Sequence, residues 1–379
     1  MGKKVRGDFS IVIIVAAICI FGTVMIASAS YYFAINTYGD PYYFLKRQIV
    51  WLFVGSIALF FFSKIDYHNV CKLWVLIYLG VLALLILLLI PGVGINFNGS
   101  TRSISIFDII TIMPGEFSKP AMVFFITGYF SRHPSYASSF KKGIIPVGAA
   151  AGIYVLLIMK QPNMSTAFTM VIVVGLLLFV AGAKIKHLII CGLGSVAAAA
   201  ALIFTSDYRK ARYLSFLDPF ASETDEGYQV AQSLKALGTG GIRGVGLGKS
   251  IQKTLYLPEP QNDFILPIIG EELGLIAIIA LMIAYLFLIY KGLKTAMNAN
   301  DLTGTLLASG IVLLIGVQVI INIAVVTSCI PPTGVVLPFV SYGNNALIIF
   351  MSAIGMLMNV SKSINEKKAK EELRRPEEL

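Results

Sequence analysis

Leu73-Trp74-Val75-Leu76-Ile77-Tyr78-Leu79-Gly80-Val81-Leu82-Ala83-Leu84-Leu85-Ile86-Leu87-Leu88-Leu89-Ile90 contains no charged side chain. As a helix this run rises about 27 Å, close to the ~30 Å of a bilayer's hydrocarbon. It has no polar face to offer water, so it reads as a membrane span. The rest of the chain agrees. Of its 379 residues 57% are hydrophobic and 13% charged, against about 25% charged in soluble domains. Mean hydropathy is +0.81. At ~20 residues per span, the length allows roughly ten helices and their loops. The expected fold class is therefore an all-α polytopic membrane protein. Apolar runs place the helices at 10–34, 47–63, 73–91, 118–131, 144–160, 165–182, 187–205, 264–290, 303–328 and 340–361. The fourth opens on Ser118-Lys119-Pro120, where Pro120 suits a first helical turn.

The net charge of +10 does not point to nucleic acid, because the basic residues are scattered over short loops. They divide by side. One side gathers Lys3, Lys4, Arg6, Lys64, Lys72, Arg132, Lys141, Lys142, Lys184, Lys186, Lys291, Lys294 and the basic residues of the tail. The short loops of the other hold only Lys46, Arg47, Arg102, Lys119 and Lys160. The positive-inside rule then puts both termini in the cytoplasm and the long loop 206–262 outside. The transmembrane domain is expected over 1–361, with a charged cytoplasmic tail over 362–379. Lys3, Lys4 and Arg6 before an apolar run imitate a signal peptide. The run continues through Tyr31, Tyr32 and Phe33, which resemble an interfacial aromatic belt, so it reads as an uncleaved span. Cys19, Cys71, Cys191 and Cys329 form no disulfide framework or zinc spacing. His68, His133 and His187 all fall in cytoplasmic turns.

Polar residues gather at the outer ends of the spans. Pro258-Glu259-Pro260-Gln261-Asn262-Asp263-Phe264-Ile265 closes the long loop, and Gly270-Glu271-Glu272-Leu273-Gly274 follows. Asp263 sits where water meets lipid, where a carboxylate is costly unless it is used or paired. It reads as a catalytic base, or as the N-cap of the eighth span. In the long loop, 221–237 reads as an amphipathic helix on the membrane surface, with Val230, Leu234 and Leu237 on one face. A glycine-rich segment to Gly248 follows it as a flexible stretch. Gly248-Lys249-Ser250 resembles a P-loop ending, but Arg243 stands where that motif needs glycine. Arg243, Lys249 and Lys253 are candidates to hold a diphosphate, or simply a basic loop near headgroups. Glu116 and Lys119 are spaced to pair on one helical turn. Further polar turns are Asn98 to Arg102, Lys160-Gln161-Pro162-Asn163, and Pro331-Pro332-Thr333-Gly334 with Ser341-Tyr342-Gly343-Asn344-Asn345.

This ordered series resembles the SEDS family of bacterial envelope proteins (shape, elongation, division and sporulation), which includes FtsW, RodA and SpoVE. Asn98-Gly99-Ser100-Thr101-Arg102-Ser103 is similar to the family's Gly-Ser-Arg-Ser-Trp. Met113-Pro114-Gly115-Glu116-Phe117-Ser118-Lys119 resembles its Gln-Pro-Ser-Glu-x-x-Lys, and Gln161-Pro162-Asn163 its Gln-Pro-Asp. Tyr228-Gln229 through Gly248, Asn322 to Thr327, and Leu337-Pro338-Phe339-Val340-Ser341-Tyr342-Gly343 also match. So does the most diagnostic block, Glu259 to Gly274, whose wording is closer to FtsW and SpoVE than to RodA. Four departures stand out: Ile104 for Trp, Met-Pro-Gly-Glu for Gln-Pro-Ser-Glu, Asn163 for Asp, and Asn344-Asn345 for Gly-Ser. Asn163 weighs against a catalytic role there.

The resemblance implies a peptidoglycan glycosyltransferase in the bacterial cytoplasmic membrane, polymerising lipid II, the undecaprenyl-diphosphate-linked disaccharide pentapeptide. Asp263 aligns with the family's essential aspartate, and Glu116 and Lys119 with an important pair. Arg102, Arg243, Lys249, Glu259 and Ser341 complete the substrate-binding candidates. The implied partners are a class B penicillin-binding transpeptidase and other division or elongation proteins. The residues fix no cofactor; a divalent cation, Mg or Mn, suits a diphosphate leaving group. The rival readings are a lipid II flippase and a non-catalytic division scaffold. The charge-poor cores of the spans weigh against transport.

Overall fold

The computed structural model describes residues 7–97, 100–106, 110–204, 216, 218–220 and 226–374. The described helices are α1 (Phe9–Ala29), α2 (Tyr31–Tyr38), α3 (Tyr43–Lys64), α4 (Tyr67–Lys72), α5 (Trp74–Leu87), α6 (Pro114–Arg132) and α7 (Ile145–Lys160). They continue as α8 (Met164–Val180), α9 (Ile185–Phe204), α10 (Glu226–Gly240), α11 (Ile265–Met297), α12 (Leu302–Val326) and α13 (Asn344–Arg374). Each expected span has a helix in its place. Six are long and apolar enough to cross a membrane, and α5, α8 and α9 are shorter apolar helices. The chain is a multi-pass membrane protein. Leu275, Ile276, Ile279, Ile283 and Leu286 make an exposed apolar stripe down α11, which suits lipid rather than water. We call the face carrying the long loop the loop face, and the opposite one the tail face.

α12 is the axis of the bundle. It is buried along most of its length and packs on α6, α8, α11 and α13. Where the structure departs from the sequence reading, the reasons are local. α6 begins at Pro114, so Pro120 lies inside the helix rather than in its first turn. α13 runs unbroken from Asn344 to Arg374, past the expected boundary at 361. Three short strands interrupt the helices on the loop face. β1 (Gly94–Phe97), β2 (Ser100–Ile106) and β3 (Ile110–Ile112) form an antiparallel sheet in that order.

Two departures shape the site. α11 is broken at Gly274, whose φ of 75° and ψ of −176° lie outside the helical region and suit only glycine. And the turn before α13 does not stay at the surface. Leu337, Phe339, Val340 and Ser341 are buried, and the Tyr285 hydroxyl, well inside α11, donates to the Pro338 carbonyl. Gly22 in α1 is what lets this segment in: a Cβ there would stand 2.6 Å from Val340 Cα. Non-helical backbone at such depth is tolerated because protein covers it. Its polar groups are met within the turn, where Ser341 N donates to Leu337 O at 3.0 Å and Leu337 N to Ser341 Oγ at 2.9 Å.

The tail face is tied by a polar knot. Asp301 caps α12 by accepting from Gly304 N at 2.7 Å, and it also accepts from the Tyr67 hydroxyl at 3.2 Å. His68 bridges Asp301 through Nε2 and Asp66 through Nδ1, so it is not the free loop residue its position suggested. Burial pulls His68 down, but hydrogen bonds to Asp301 and Asp66 prevail and hold it above the ordinary histidine value. A raised histidine stabilises while it is protonated and loses that effect as pH climbs through its folded value. The excess melting temperature of the wild type over His68→Ala, in one detergent, is therefore greatest below about pH 6. It shrinks toward alkaline pH; an excess that grows with pH contradicts the knot.

Candidate active site

The loop that ends at Asp263 is shaped by its own side chains. Glu259 adopts φ 44°, its carbonyl accepts from Asn262 N at 3.0 Å and its carboxylate from Asn262 Nδ2 at 2.6 Å. Glu259 thus builds the turn that presents Asp263. The cap position of α11 is Phe264, with no side-chain capping bond, so Asp263 is not the helix cap. Asn322, near the end of α12, fixes the turn from below. Its amide donates to the Asp263 carbonyl at 2.7 Å and to the Val335 carbonyl at 2.8 Å. One side chain thereby joins α11, α12 and the buried turn. The Asp263 carboxylate is half-buried, and its Oδ2 lies 3.8 Å from where a Cβ on Gly334 would stand. Tyr342 N donates to the Gln261 carbonyl at 2.9 Å, closing the ring of contacts.

The two glutamates that follow do different work. Glu272 is fully buried and pairs with Lys253 Nζ at 2.6 Å, while Ser28 Oγ in α1 donates to it at 2.7 Å. Glu271, also fully buried, accepts from Ser250 Oγ, from Ile251 N at 2.9 Å and from Gln252 N at 3.3 Å. Backbone bonds extend the clamp across the broken helix: Val245 N to Glu271 O and Gly246 N to Glu272 O, both 2.9 Å, and Leu275 N to Gly241 O at 3.0 Å. The glycine-rich segment is thus pinned to α11 rather than loose. Lys253 is 3% exposed and committed to Glu272, so it is withdrawn as a diphosphate ligand. Arg243 and Lys249 are exposed on this pinned loop, with Arg243 beside the break in α11. The helix read as lying on the membrane surface is α10, packed instead into the protein. Val230 and Ser233 are fully buried, and Ser233 Oγ donates to the Val326 carbonyl at 2.7 Å. Residues 221–225 lie outside the described residues.

A second cluster stands at the mouth of α6. Lys119 Nζ pairs with Glu116 Oε2 at 2.7 Å, with the lysine side chain 4% and the glutamate 20% exposed. Gly115 abuts Asn163, whose side chain caps α8 by accepting from Thr166 N at 3.3 Å. Arg102 on β2 donates to the Pro162 carbonyl next to it, though Asn98 and Gly99 of its motif fall outside the described residues. Asn345 Nδ2 donates to the Thr111 carbonyl at 3.0 Å, which ties this cluster to the segment around Asp263. Ser341 is not part of the open site. It is 5% exposed and spent on the buried turn.

The family model for cell cycle proteins, covering FtsW, RodA and SpoVE, matches residues 9–366. The chain belongs to the FtsW/RodA/SpoVE family. It is 39% identical to stage V sporulation protein E of Bacillus subtilis over 95% of this chain and 98% of that protein. It is 37% identical to a probable peptidoglycan glycosyltransferase FtsW of a Geobacter species, over 95% of this chain and 98% of the relative. Among solved structures, a chain of a peptidoglycan synthase complex superposes with TM-score 0.78 at 24% identity, covering 94% of this chain and 98% of its own. The RodA protein of Thermus thermophilus gives 0.69 at 24% identity, covering 94% and 97%. These superpositions establish the fold of the family member.

Sequence spacing could not show the clamp, because Lys253 and Glu272 meet only once the loop folds back. Removing one member of a buried ion pair strands the other in a low dielectric, at a cost of about 3–5 kcal/mol. Glu272→Ala is expected to lower unfolding stability in detergent by that amount. The double variant Lys253→Met with Glu272→Met should cost clearly less; equal losses would mean the pair is not the source.

Proposed function

We propose that this protein is a peptidoglycan glycosyltransferase that polymerises lipid II, with Asp263 as general base. The observation that carries the reading is the contrast among the four acids of its signature block, of which Glu259 builds the turn by accepting from Asn262. Glu271 and Glu272 are sealed inside hydrogen-bonded clamps, while Asp263 is half-exposed on a turn built to present it. The FtsW relatives support the activity and a role in cell division. The positive-inside bias supports a cytoplasmic location for both termini, with Asp263 at the outer face.

Chain extension needs a sugar 4-hydroxyl to attack the anomeric carbon of a lipid-linked saccharide. A new C–O bond forms as the bond from that carbon to the diphosphate oxygen breaks. Asp263 takes the hydroxyl proton, a contribution of roughly 10²–10⁴-fold. The departing diphosphate carries the negative charge, which nearby cations stabilise. Arg102, exposed on β2, is the cation proposed for this role, while Lys119, as buried as Lys253 and committed to Glu116, braces the mouth of α6. Arg243 and Lys249, on the pinned loop, serve lipid headgroups or the outgoing diphosphate. Among the described residues no three His, Cys, Asp or Glu side chains converge as a metal cage. A divalent ion such as magnesium, bound to the diphosphate, would supply positive charge to the leaving group.

For the partner, we propose a class B penicillin-binding transpeptidase docked along α11, the exposed Ile320 of α12 and the long loop. The exposed stripe of α11 supports this, since its spacing suits a neighbouring transmembrane helix. A photocrosslinker at Ile279 should capture that partner, and one at Leu156 on α7 should not. Capture at Leu156 alone would move the interface elsewhere.

Asp263→Asn removes the basic oxygen with little change in shape. In proteoliposomes with fluorescent lipid II, the variant is expected to lose at least about 100-fold in polymerisation rate. Its melting temperature should stay near that of the wild type. Polymerisation at the wild-type rate would refute the assignment, and lipid scrambling without polymer would favour a flippase.

A further inference from the structure

The mechanism leaves one concentration of side chains unused. α2 and the start of α3 carry Tyr31, Tyr32, Tyr38, Tyr42, Tyr43 and Phe44 at one corner of the loop face. Tyr31, Tyr32, Tyr38 and Tyr42 are 38–50% exposed. Tyr38 and Tyr43 stack in parallel at 3.8 Å and 6°, and the Arg47 guanidinium lies 4.6 Å from the Tyr43 ring. The connecting turn is braced by Lys46 and Asp40 at 2.7 Å.

This corner is wired to the turn of Asp263. Phe44 meets Tyr342 edge-on at 4.9 Å, and Tyr342 N donates to the Gln261 carbonyl at 2.9 Å. A lipid-interface belt explains scattered tyrosines around the rim. It does not require parallel stacking at one corner, nor a chain of contacts ending two residues from the proposed base. Tyr43 is covered by Tyr38 and by Arg47, so Tyr38, 49% exposed, is the ring of this stack with a face to offer the apolar C–H face of a pyranose.

We propose that Tyr38, backed by Tyr43 and Arg47 and flanked by Tyr31, Tyr32 and Tyr42, presents the ring face of a saccharide platform that holds the non-reacting sugars of the glycan strand near the turn of Asp263. The inference rests on the polymerase reading and adds a ligand subsite to it. These tyrosines are positioning residues: they touch sugars remote from the bond being made. A strand gripped at this distance stays on the enzyme between additions, so the platform governs product length.

The test uses the full-length protein in nanodiscs. Fluorescent lipid II is polymerised by wild type, by Tyr38→Ala with Tyr43→Ala, and by the corresponding Phe and Leu pairs, and product lengths are compared at equal substrate consumption. The Ala and Leu pairs should give products shortened roughly two- to tenfold, and the Phe pair should restore wild-type length. Leucine keeps the apolar anchor but not the ring face, so a belt alone predicts rescue by Leu. Unchanged lengths in the Ala pair, or equal rescue by Leu and Phe, overturn the platform. A chito-oligosaccharide binding measurement by saturation-transfer NMR separates the two readings. Asp263→Asn should still bind the oligosaccharide while the Ala pair binds it roughly two- to tenfold more weakly. Should the wild type form no polymer, the polymerase reading fails and this binding result alone decides the platform.

Discussion

The loop face depends on two carboxylates that water never reaches. Glu271 and Glu272 sit one after the other in α11, each fully buried. An isolated buried carboxylate is prohibitively costly, so each requires its partners, and those partners all come from elsewhere in the chain. Lys253 and Ser28 satisfy one; Ser250 and the amides of Ile251 and Gln252 satisfy the other. The cost of leaving them unmet folds a long polar loop back onto a membrane helix. The break at Gly274 follows from the same constraint, because the returning strand of loop needs the backbone groups that a continuous helix would have consumed.

With the loop fixed, the short segment to Asp263 has little freedom. Glu259 and Asn262 close the turn, Asn322 holds its carbonyl from α12, and Tyr342 holds it from the side. Rigid support of this kind is what a general base requires, since misplacement by an ångström erodes proton transfer. The four acids of the signature thus divide the labour: Glu271 and Glu272 anchor the loop, Glu259 shapes the turn, and Asp263 stands half-buried at its end.

Much of this was legible in the sequence where the signal is local. A run such as Leu73 to Ile90 has one physical solution in a membrane, and Glu116 with Lys119 follows from helical spacing. What escaped was non-local or contrary to composition. Lys253 read as a free cation because nothing nearby announces Glu272. Ser341 read as an outer polar residue, although Val335, Val336, Leu337, Phe339 and Val340 around it are too apolar for a water-facing turn; that run was the missed sign of a buried segment. Gly274 likewise carried a signal, as a glycine ending a polar block, but the apolar residues after it favoured a continuous span. The strands β1 to β3 did carry a local signal, the alternation Ser103-Ile104-Ser105-Ile106, but their pairing is set by register.

Everything downstream requires the clamped loop to deliver Asp263 to the outer, water-accessible face. The direct measurement is labelling of Asp263→Cys, with Cys191 and Cys329 replaced, by a membrane-impermeant maleimide on intact spheroplasts. The account predicts modification from outside without permeabilisation. Modification only after the inner face is opened would contradict it.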